Sequence, residues 1–152
     1  MTPDRTLGGR YRISTNRADI DVDAAHAYLT RSYWAAGVPR AVVERAIDHS
    51  LCFALLDGSA QIGLARVVTD RATYAYLCDV YILEPYQRQG LGAWLMEQIV
   101  AHPDLQGLRR FQLVTRDAHR LYERFGFTPL ESARVPGFME IVRKNPYGND
   151  GR

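Results

Sequence analysis

Apolar and polar positions follow two periods along the first half of the chain, one typical of strands and one typical of helices. The clearest local signal is a hairpin, because two apolar runs flank the turn residues Asp57-Gly58-Ser59. Pro39 suits the first turn of a helix. The pattern predicts a strand, two helices and two hairpin strands, at residues 10–15, about 21–30, about 39–49, 51–56 and 62–68.

The second half contains the longest predicted strand, residues 73–83, which is rich in aromatic and β-branched side chains. A helix is predicted over 91–100, where apolar residues recur at helical spacing until Pro103 ends it. The remaining predicted elements are a strand at 111–115, a short helix at 118–125 and two weaker strands near 127–130 and 138–143.

Length and composition indicate one folded domain. The chain has 152 residues, 47% hydrophobic and 24% charged, and about 100–200 residues is usual for one domain. We expect a single domain over 1–152, with a core from about 10 to 143 and flexible ends at 1–9 and 144–152. No apolar run suits a membrane span, and Met1–Arg5 do not resemble a signal peptide. The expected location is therefore the cytoplasm, with no membrane partner.

The distribution of charge and of potential metal ligands argues against nucleic-acid-binding proteins and metalloproteins. The net charge is +2, and the basic residues are dispersed rather than gathered in a stripe, so no nucleic acid partner is expected. The two cysteines, Cys52 and Cys78, and the four histidines show no metal-ligand spacing. We therefore expect no metal site.

A loop with two glycines joins the longest predicted strand to the helix after it. Such a loop lets backbone N–H groups converge at the positive end of a helix, which is a favourable site for a phosphate. It lacks the Gly-Lys-Ser/Thr of a Walker A loop, and Leu95 stands where the dinucleotide fingerprint has its third small residue. The loop reads Glu84-Pro85-Tyr86-Gln87-Arg88-Gln89-Gly90-Leu91-Gly92-Ala93.

Two motifs resemble those of the GNAT superfamily of N-acetyltransferases. The first is Gln87-x-x-Gly90-x-Gly92, which follows the strand end Val80-Tyr81-Ile82. The second is Ala118-x-x-Leu121-Tyr122-x-x-x-Gly126-Phe127. The predicted elements follow the superfamily order from residue 10 to about 143, so the resemblance covers nearly the whole chain. One departure is Thr115, which stands where many members have an asparagine, seven residues before the tyrosine.

The resemblance implies a fold and a co-substrate. The fold is α/β (α+β), with a mixed, mostly antiparallel central sheet, helices on both faces and a splay between strands four and five. The co-substrate is acetyl-CoA, with its pyrophosphate on the loop amides and its pantetheine arm along the end of strand four. The cofactor-binding residues so implied are Val80, Tyr81, Ile82, Gln87, Arg88, Gln89, Gly90, Leu91, Gly92, Ala93 and Thr115.

The resemblance also implies catalytic roles. Tyr122 corresponds to the tyrosine that protonates the departing CoA thiolate, a transfer favoured by similar thiol and phenol pKa values, about 8.5 and 10. The general base stays open between Asp79, Tyr76 and a water relay. Counted along a regular strand, Tyr76 and Cys78 share a face with Val80, and Asp79 reaches that face only if a bulge redirects it.

The acceptor side is expected at the loop between the first two helices, where Tyr33 and Trp34 could form a flat apolar wall or anchor the loop to the core. The expected reaction is direct transfer of acetyl to a primary amine of a small molecule or peptide. A non-catalytic acetyl-CoA sensor or interaction module is the alternative. Dimers are common among such proteins, so the resemblance leaves a homodimer open.

Overall fold

The computed structural model describes residues 5–148 and contains a six-stranded sheet whose strands follow chain order. Neighbouring strands run antiparallel, except that the last two are parallel. The mixed, mostly antiparallel sheet is as predicted. The strands are β1 (Arg5–Leu7), β2 (Tyr11–Ser14), β3 (Leu51–Asp57), β4 (Ala60–Thr69), β5 (Tyr74–Ile82) and β6 (Arg110–Leu113).

Four α-helices accompany the sheet, and local residues account for their ends. The Asp21 side chain accepts a hydrogen bond from the Ala24 N–H at 3.0 Å and so caps the first helix. No helix within the described part of the chain is long and apolar enough to span a membrane. The helices are α1 (Val22–Leu29), α2 (Arg40–Asp48), α3 (Leu91–Val100) and α4 (His119–Glu123), and short 3₁₀ turns occur at Arg17–Asp19, Glu84–Tyr86, Pro103–Leu105 and Val135–Gly137.

Each face of the sheet carries its own apolar core. Alternate residues of the central strands, such as Phe53 and Val67, pack against α3 on one face. Their neighbours, such as Ala54 and Leu64, pack against α1 and α2 on the other. The prediction of helices on both faces is therefore confirmed.

The predicted strands four and five correspond to β5 and β6, because the structure has one additional strand, β1, at the N-terminus. The predicted splay lies between β5 and β6. Their pairing runs from Tyr74 opposite Arg110 to Leu77 opposite Leu113. Beyond Leu77, β5 continues to Ile82 while β6 ends. Within residues 5–148, no strand pairs with this outer edge of Cys78–Ile82. The sheet therefore opens a gap between the ends of β5 and β6.

The prediction of two weaker strands near the C-terminus is wrong. Residues 127–130 and 138–143 form no strand. Phe127 is held by ring contacts with Phe111 and Tyr122, and the following Pro129 has no N–H for a ladder. In 138–143 the apolar side chains Met139 and Ile141 are 94% and 82% exposed. The segment therefore has no buried apolar face that would pack it against the sheet as a strand.

The N-terminus adds a strand that the sequence pattern does not predict. Residues 5–7, inside the predicted flexible end, pair with β2 as the short edge strand β1. All three of its residues are exposed, so they contribute nothing to either apolar core. The predictions for residues 1–4 and 149–152 lie outside the described residues.

Candidate active site

The loop before α3 has a backbone shape that depends on its glycine. Gly90 precedes the helix with φ of +81°, in the left-handed region that glycine adopts without strain. Arg88 also has a positive φ, +64°, and its side chain is exposed. These two residues turn the chain sharply into the first turn of α3.

The N-terminus of α3 presents free donors to open space. The N–H groups of Leu91, Gly92 and Ala93 have no acceptor within the helix, and no side chain caps them. A Cβ atom added at Gly92 would meet no atom within 4 Å. Packing within the described chain does not require a glycine at this position. The space suits the close approach of a bulky anion to the backbone.

The side chains of Gln87 and Gln89, two of the residues expected at the cofactor loop, hold the loop in place. Gln87 Nε2 donates to the Ile82 carbonyl at 2.8 Å, which joins the loop to the end of β5. Gln89 Oε1 accepts from the Tyr11 hydroxyl at 3.1 Å, which joins it to β2. The Leu91 side chain lies in the core, 2% exposed. At the open N-terminus of α3, these three residues therefore offer only backbone atoms, whereas the Arg88 side chain stays exposed beside them.

A β-bulge interrupts β5 at Asp79. Leu64 pairs with Tyr81 and Arg66 with Cys78, so Ala65 alone stands opposite two residues of β5. Asp79 has φ of +51°, a rare conformation for a residue with a Cβ. The bulge redirects the Asp79 side chain toward Arg66 and Trp34, on the face covered by α1 and α2.

Asp79 lies in a polar cluster within the sheet. Its Oδ2 accepts from Arg66 Nε at 2.7 Å and its Oδ1 accepts from Trp34 Nε1 at 2.8 Å. The side chains of Arg66 and Asp79 are only 19% and 12% exposed. A second guanidinium nitrogen of Arg66 donates to Ser50 Oγ at 3.1 Å. Sequence reasoning missed Arg66, although an arginine within the apolar run of β4 was a detectable signal.

The bulge also corrects the expected facing of strand β5. Val80 packs against the core on the α3 side, whereas Cys78 stands opposite Arg66 on the other side. Val80 therefore does not share a face with Tyr76 and Cys78. Tyr81 is buried and stacks on Tyr28 with ring centroids 4.0 Å apart. From Val80 to Ile82, the open edge can offer only backbone atoms.

Tyr33 and Trp34 lie exposed on the loop between α1 and α2, and Trp34 also anchors that loop through its hydrogen bond to Asp79. Their exposed fractions are 60% and 42%, and their rings meet edge to face at 5.1 Å. The Arg116 guanidinium carbon lies 3.9 Å from the centroid of the Tyr33 ring. Arg116 follows β6 by three residues, so this contact links the two sides of the splay. Arg116 was not among the sequence-predicted residues.

Tyr122 lies partly buried near the same wall. Burial raises the pKa of its hydroxyl above the usual 10, and the nearby Tyr33 hydroxyl adds a smaller increase. The Tyr122 ring also meets Phe127 edge to face at 6.0 Å. A phenol with a raised pKa stays protonated at neutral pH, so Tyr122 is kept as a proton donor.

A groove of about 890 Å³ runs along the outer side of β6 and is lined in part by Tyr76, Thr115 and Tyr122. The Thr115 hydroxyl oxygen accepts from the Ala118 N–H at 3.0 Å, which fixes the start of α4. Thr115 thus has a structural contact at the place where a cofactor contact was expected. Residues 87–93 of the loop before α3 do not line this groove.

Two other titratable groups on β5 are held neutral. Burial, then the neighbouring Cys78, Tyr74 and Asp79, raises the pKa of Tyr76 above 10. Burial raises the pKa of the Cys78 thiol to about 11. Neither a proton-accepting phenolate at Tyr76 nor a nucleophilic thiolate at Cys78 is favoured at neutral pH. Among the residues that the structure describes, no three His, Cys, Asp or Glu side chains form a metal site.

Comparison with a model of a protein family classifies the chain. The model of the acetyltransferase (GNAT) family matches residues 18–127. The chain belongs to the GNAT acetyltransferase family. Both the expected family and the expected fold are therefore confirmed.

Two relatives agree with this GNAT assignment. A Gibberella zeae protein assigned as an acetyltransferase is 34% identical, and the match covers 79% of this chain and 80% of the relative. A crystal structure from Xanthomonas campestris pv. campestris, assigned to the GNAT family, is 44% identical with a TM-score of 0.86. The match covers 90% of this GNAT chain and 96% of that one.

A GNAT acetyltransferase from Elizabethkingia anophelis, solved with acetyl-CoA bound, has a TM-score of 0.62 to this GNAT chain. The match covers 90% of each chain, and the sequences are 12% identical. At that identity the likeness shows a shared fold.

Proposed function

We propose that this GNAT acetyltransferase uses acetyl-CoA to acetylate a primary amine of a small molecule or peptide. The observation that carries the proposal is the open N-terminus of α3 beside a strand end whose outer edge has no partner strand within residues 5–148. The first feature suits a pyrophosphate and the second suits an extended arm that pairs like an added strand.

The donor would be held mainly by backbone groups. The amides of residues 88–93 would bind the pyrophosphate, with the exposed Arg88 at the rim. The pantetheine amides would pair with β5 between Val80 and Ile82. The Ile82 carbonyl already accepts from Gln87, which leaves the neighbouring backbone groups for this pairing. The likeness to a GNAT structure that contains acetyl-CoA supports this placement.

Tyr122 is proposed as the general acid. Its raised pKa keeps the hydroxyl protonated across neutral pH, and it lies near Tyr33, one of the two residues proposed to form the acceptor wall. When the C–S bond breaks, the leaving thiolate needs a proton, and a positioned phenol can supply it. The same hydroxyl can donate a hydrogen bond to the sulfur before the transfer is complete.

Asp79 is proposed as the group that receives the proton of the acceptor amine, directly or through a water. Arg66 and Trp34 orient its carboxylate, and each oxygen keeps a second lone pair for a further hydrogen bond. Tyr76 is the weaker candidate, because its raised pKa opposes formation of a phenolate at neutral pH.

Two observations favour a second function, a non-catalytic acetyl-CoA sensor. Both Asp79 oxygens already accept hydrogen bonds from the protein, and Thr115 replaces the asparagine of many family members while its oxygen caps α4. A protein with this site could bind acetyl-CoA without activating an amine.

The deciding experiment measures release of CoA thiol from acetyl-CoA across amines and short peptides, with the melting shift caused by acetyl-CoA as a binding control. Saturation at about 100 times the dissociation constant adds about 2.7 kcal/mol to the free energy of unfolding. Amine-dependent release supports the transferase. A melting shift without release for any amine supports the sensor, and no shift contradicts both.

We expect Gly92→Val to weaken acetyl-CoA binding by at least about tenfold, or about 1.4 kcal/mol. The added branched side chain would enter the space above the helix N-terminus, where an added Cβ lies more than 4 Å from any atom outside its own helix. Because valine is no worse than glycine in a helix, the melting temperature without ligand should change little. Glu97→Val, at an exposed position of the same helix, is the matched control. Equal affinity in both variants would contradict a pyrophosphate site at Gly92.

A further inference from the structure

Two acidic groups near the acceptor wall are already neutralised by arginines. Asp79 is paired with Arg66, with a nitrogen–oxygen distance of 2.7 Å. Glu84 is paired with Arg31 through two hydrogen bonds, of 2.9 and 3.1 Å. The Arg31 guanidinium also lies over the Tyr28 ring, at 4.3 Å. Neither carboxylate is left as a free negative charge for a polycationic acceptor.

Arg116 is the cation at this wall that has no carboxylate partner. It makes no ion pair with any residue between 5 and 148, including its neighbour Asp117. Its guanidinium carbon lies 3.9 Å from the Tyr33 ring centroid. When a guanidinium contacts an aromatic ring, the N–H groups at the edge of the guanidinium can still donate hydrogen bonds to another group. Arg116 is thus held in place by an aromatic ring while its donors remain available.

A chain of contacts links Arg116 to the groups proposed for catalysis. Tyr33 meets Trp34 edge to face at 5.1 Å, and Trp34 donates to Asp79 at 2.8 Å. Tyr33 is also close enough to Tyr122 to raise the pKa of that hydroxyl. A small acceptor seated on this wall would therefore have a guanidinium at one end and the Asp79 carboxylate at the other.

Given the proposed transfer to an amine, we propose that the acceptor carries a carboxylate of its own, as an amino acid does, and that Arg116 binds it. Two parallel N–H···O bonds from the guanidinium match the geometry of a carboxylate. The acceptor nitrogen forms a bond to the acetyl carbon as the C–S bond breaks. The nitrogen gives its proton to Asp79 or a bridging water, and Tyr122 protonates the thiolate. A polyamine or aminoglycoside would instead bring positive charge to Arg116.

The test compares the free amino acids with their amides as acceptors, in the intact chain, by thiol release. We expect at least one acid to exceed its amide by at least about tenfold in kcat/KM. Arg116→Gln should reduce that acid-to-amide ratio by at least about tenfold, through KM of the acid, and Arg116→Lys should restore part of it. Arg45→Gln, an exposed arginine on α2, should leave the ratio unchanged.

Each contrary result has a distinct meaning. Turnover of amides or simple amines in preference to every acid overturns the inference and leaves the proposed function standing. An acid-to-amide ratio that Arg116→Gln does not change also overturns the inference. So does an effect confined to the KM of acetyl-CoA, because Arg116 would then bind acetyl-CoA rather than the acceptor. Acetyl-CoA binding without turnover of any acceptor overturns the proposed function and this inference together.

Discussion

Tyr122→Phe is expected to lower kcat for acetyl transfer by about 10²–10⁴-fold, the usual contribution of a general acid. The phenyl ring retains the edge contact with Phe127, 6.0 Å between centroids, so only the hydroxyl is lost. Acetyl-CoA affinity, measured by melting shift, should stay within about threefold, because the proposed role begins when the C–S bond breaks.

The pH dependence gives a second check on Tyr122. Because burial raises the pKa of this hydroxyl above 10, the acid form predominates throughout the neutral range. No fall in kcat that is due to Tyr122 should occur below pH 10. Tyr74→Phe, which removes an exposed hydroxyl that donates to Gln112, is the matched control and should retain activity. A kcat equal to that of Tyr74→Phe would remove Tyr122 from the mechanism.

Asp79→Asn is expected to reduce kcat/KM by at least about 10²-fold and to lower the free energy of unfolding by about 3 kcal/mol. The amide cannot take a proton from the acceptor. It also leaves the Arg66 guanidinium, whose side chain is 19% exposed, without its counter-charge. Thiol release and urea unfolding measure the two effects separately.

A double variant separates catalysis from support of the fold. Arg66→Gln combined with Asp79→Asn removes both charges, and two neutral side chains can still form a hydrogen bond. We expect most of the lost stability to return while activity stays low. If activity returns together with stability, Asp79 is only the structural partner of Arg66, and the proton must leave the amine by another route.

The helices and central strands were predictable because their apolar periods match their burial. The helix predicted at 91–100 is α3, with Leu91, Leu95 and Ile99 buried. The 138–143 segment has an apolar pattern too, but Met139 and Ile141 remain exposed. Apolar alternation forms a strand only where a sheet edge and a buried face receive it, and these are properties of the tertiary fold.

The predictable part of the site is the part encoded in consecutive residues. The turn at Gly90 and the open helix N-terminus follow from the glycines of one loop. The partners of Asp79 could not be found in that way, because Arg66 lies on the adjacent strand and Trp34 on a distant loop. Arg116 illustrates the same limit, since its contact with Tyr33 joins segments far apart in the sequence.

The bulge at Asp79 makes this carboxylate an insertion in the strand. If position 79 is skipped, the remaining residues alternate without a break, with Leu77 and Val80 on the α3 side and Cys78 and Tyr81 on the other. A one-residue deletion at this point would keep every other side chain of β5 on its present face. The core pattern and the proposed proton acceptor are therefore encoded separately, and substitutions at 79 can change this side chain without altering the register of the sheet.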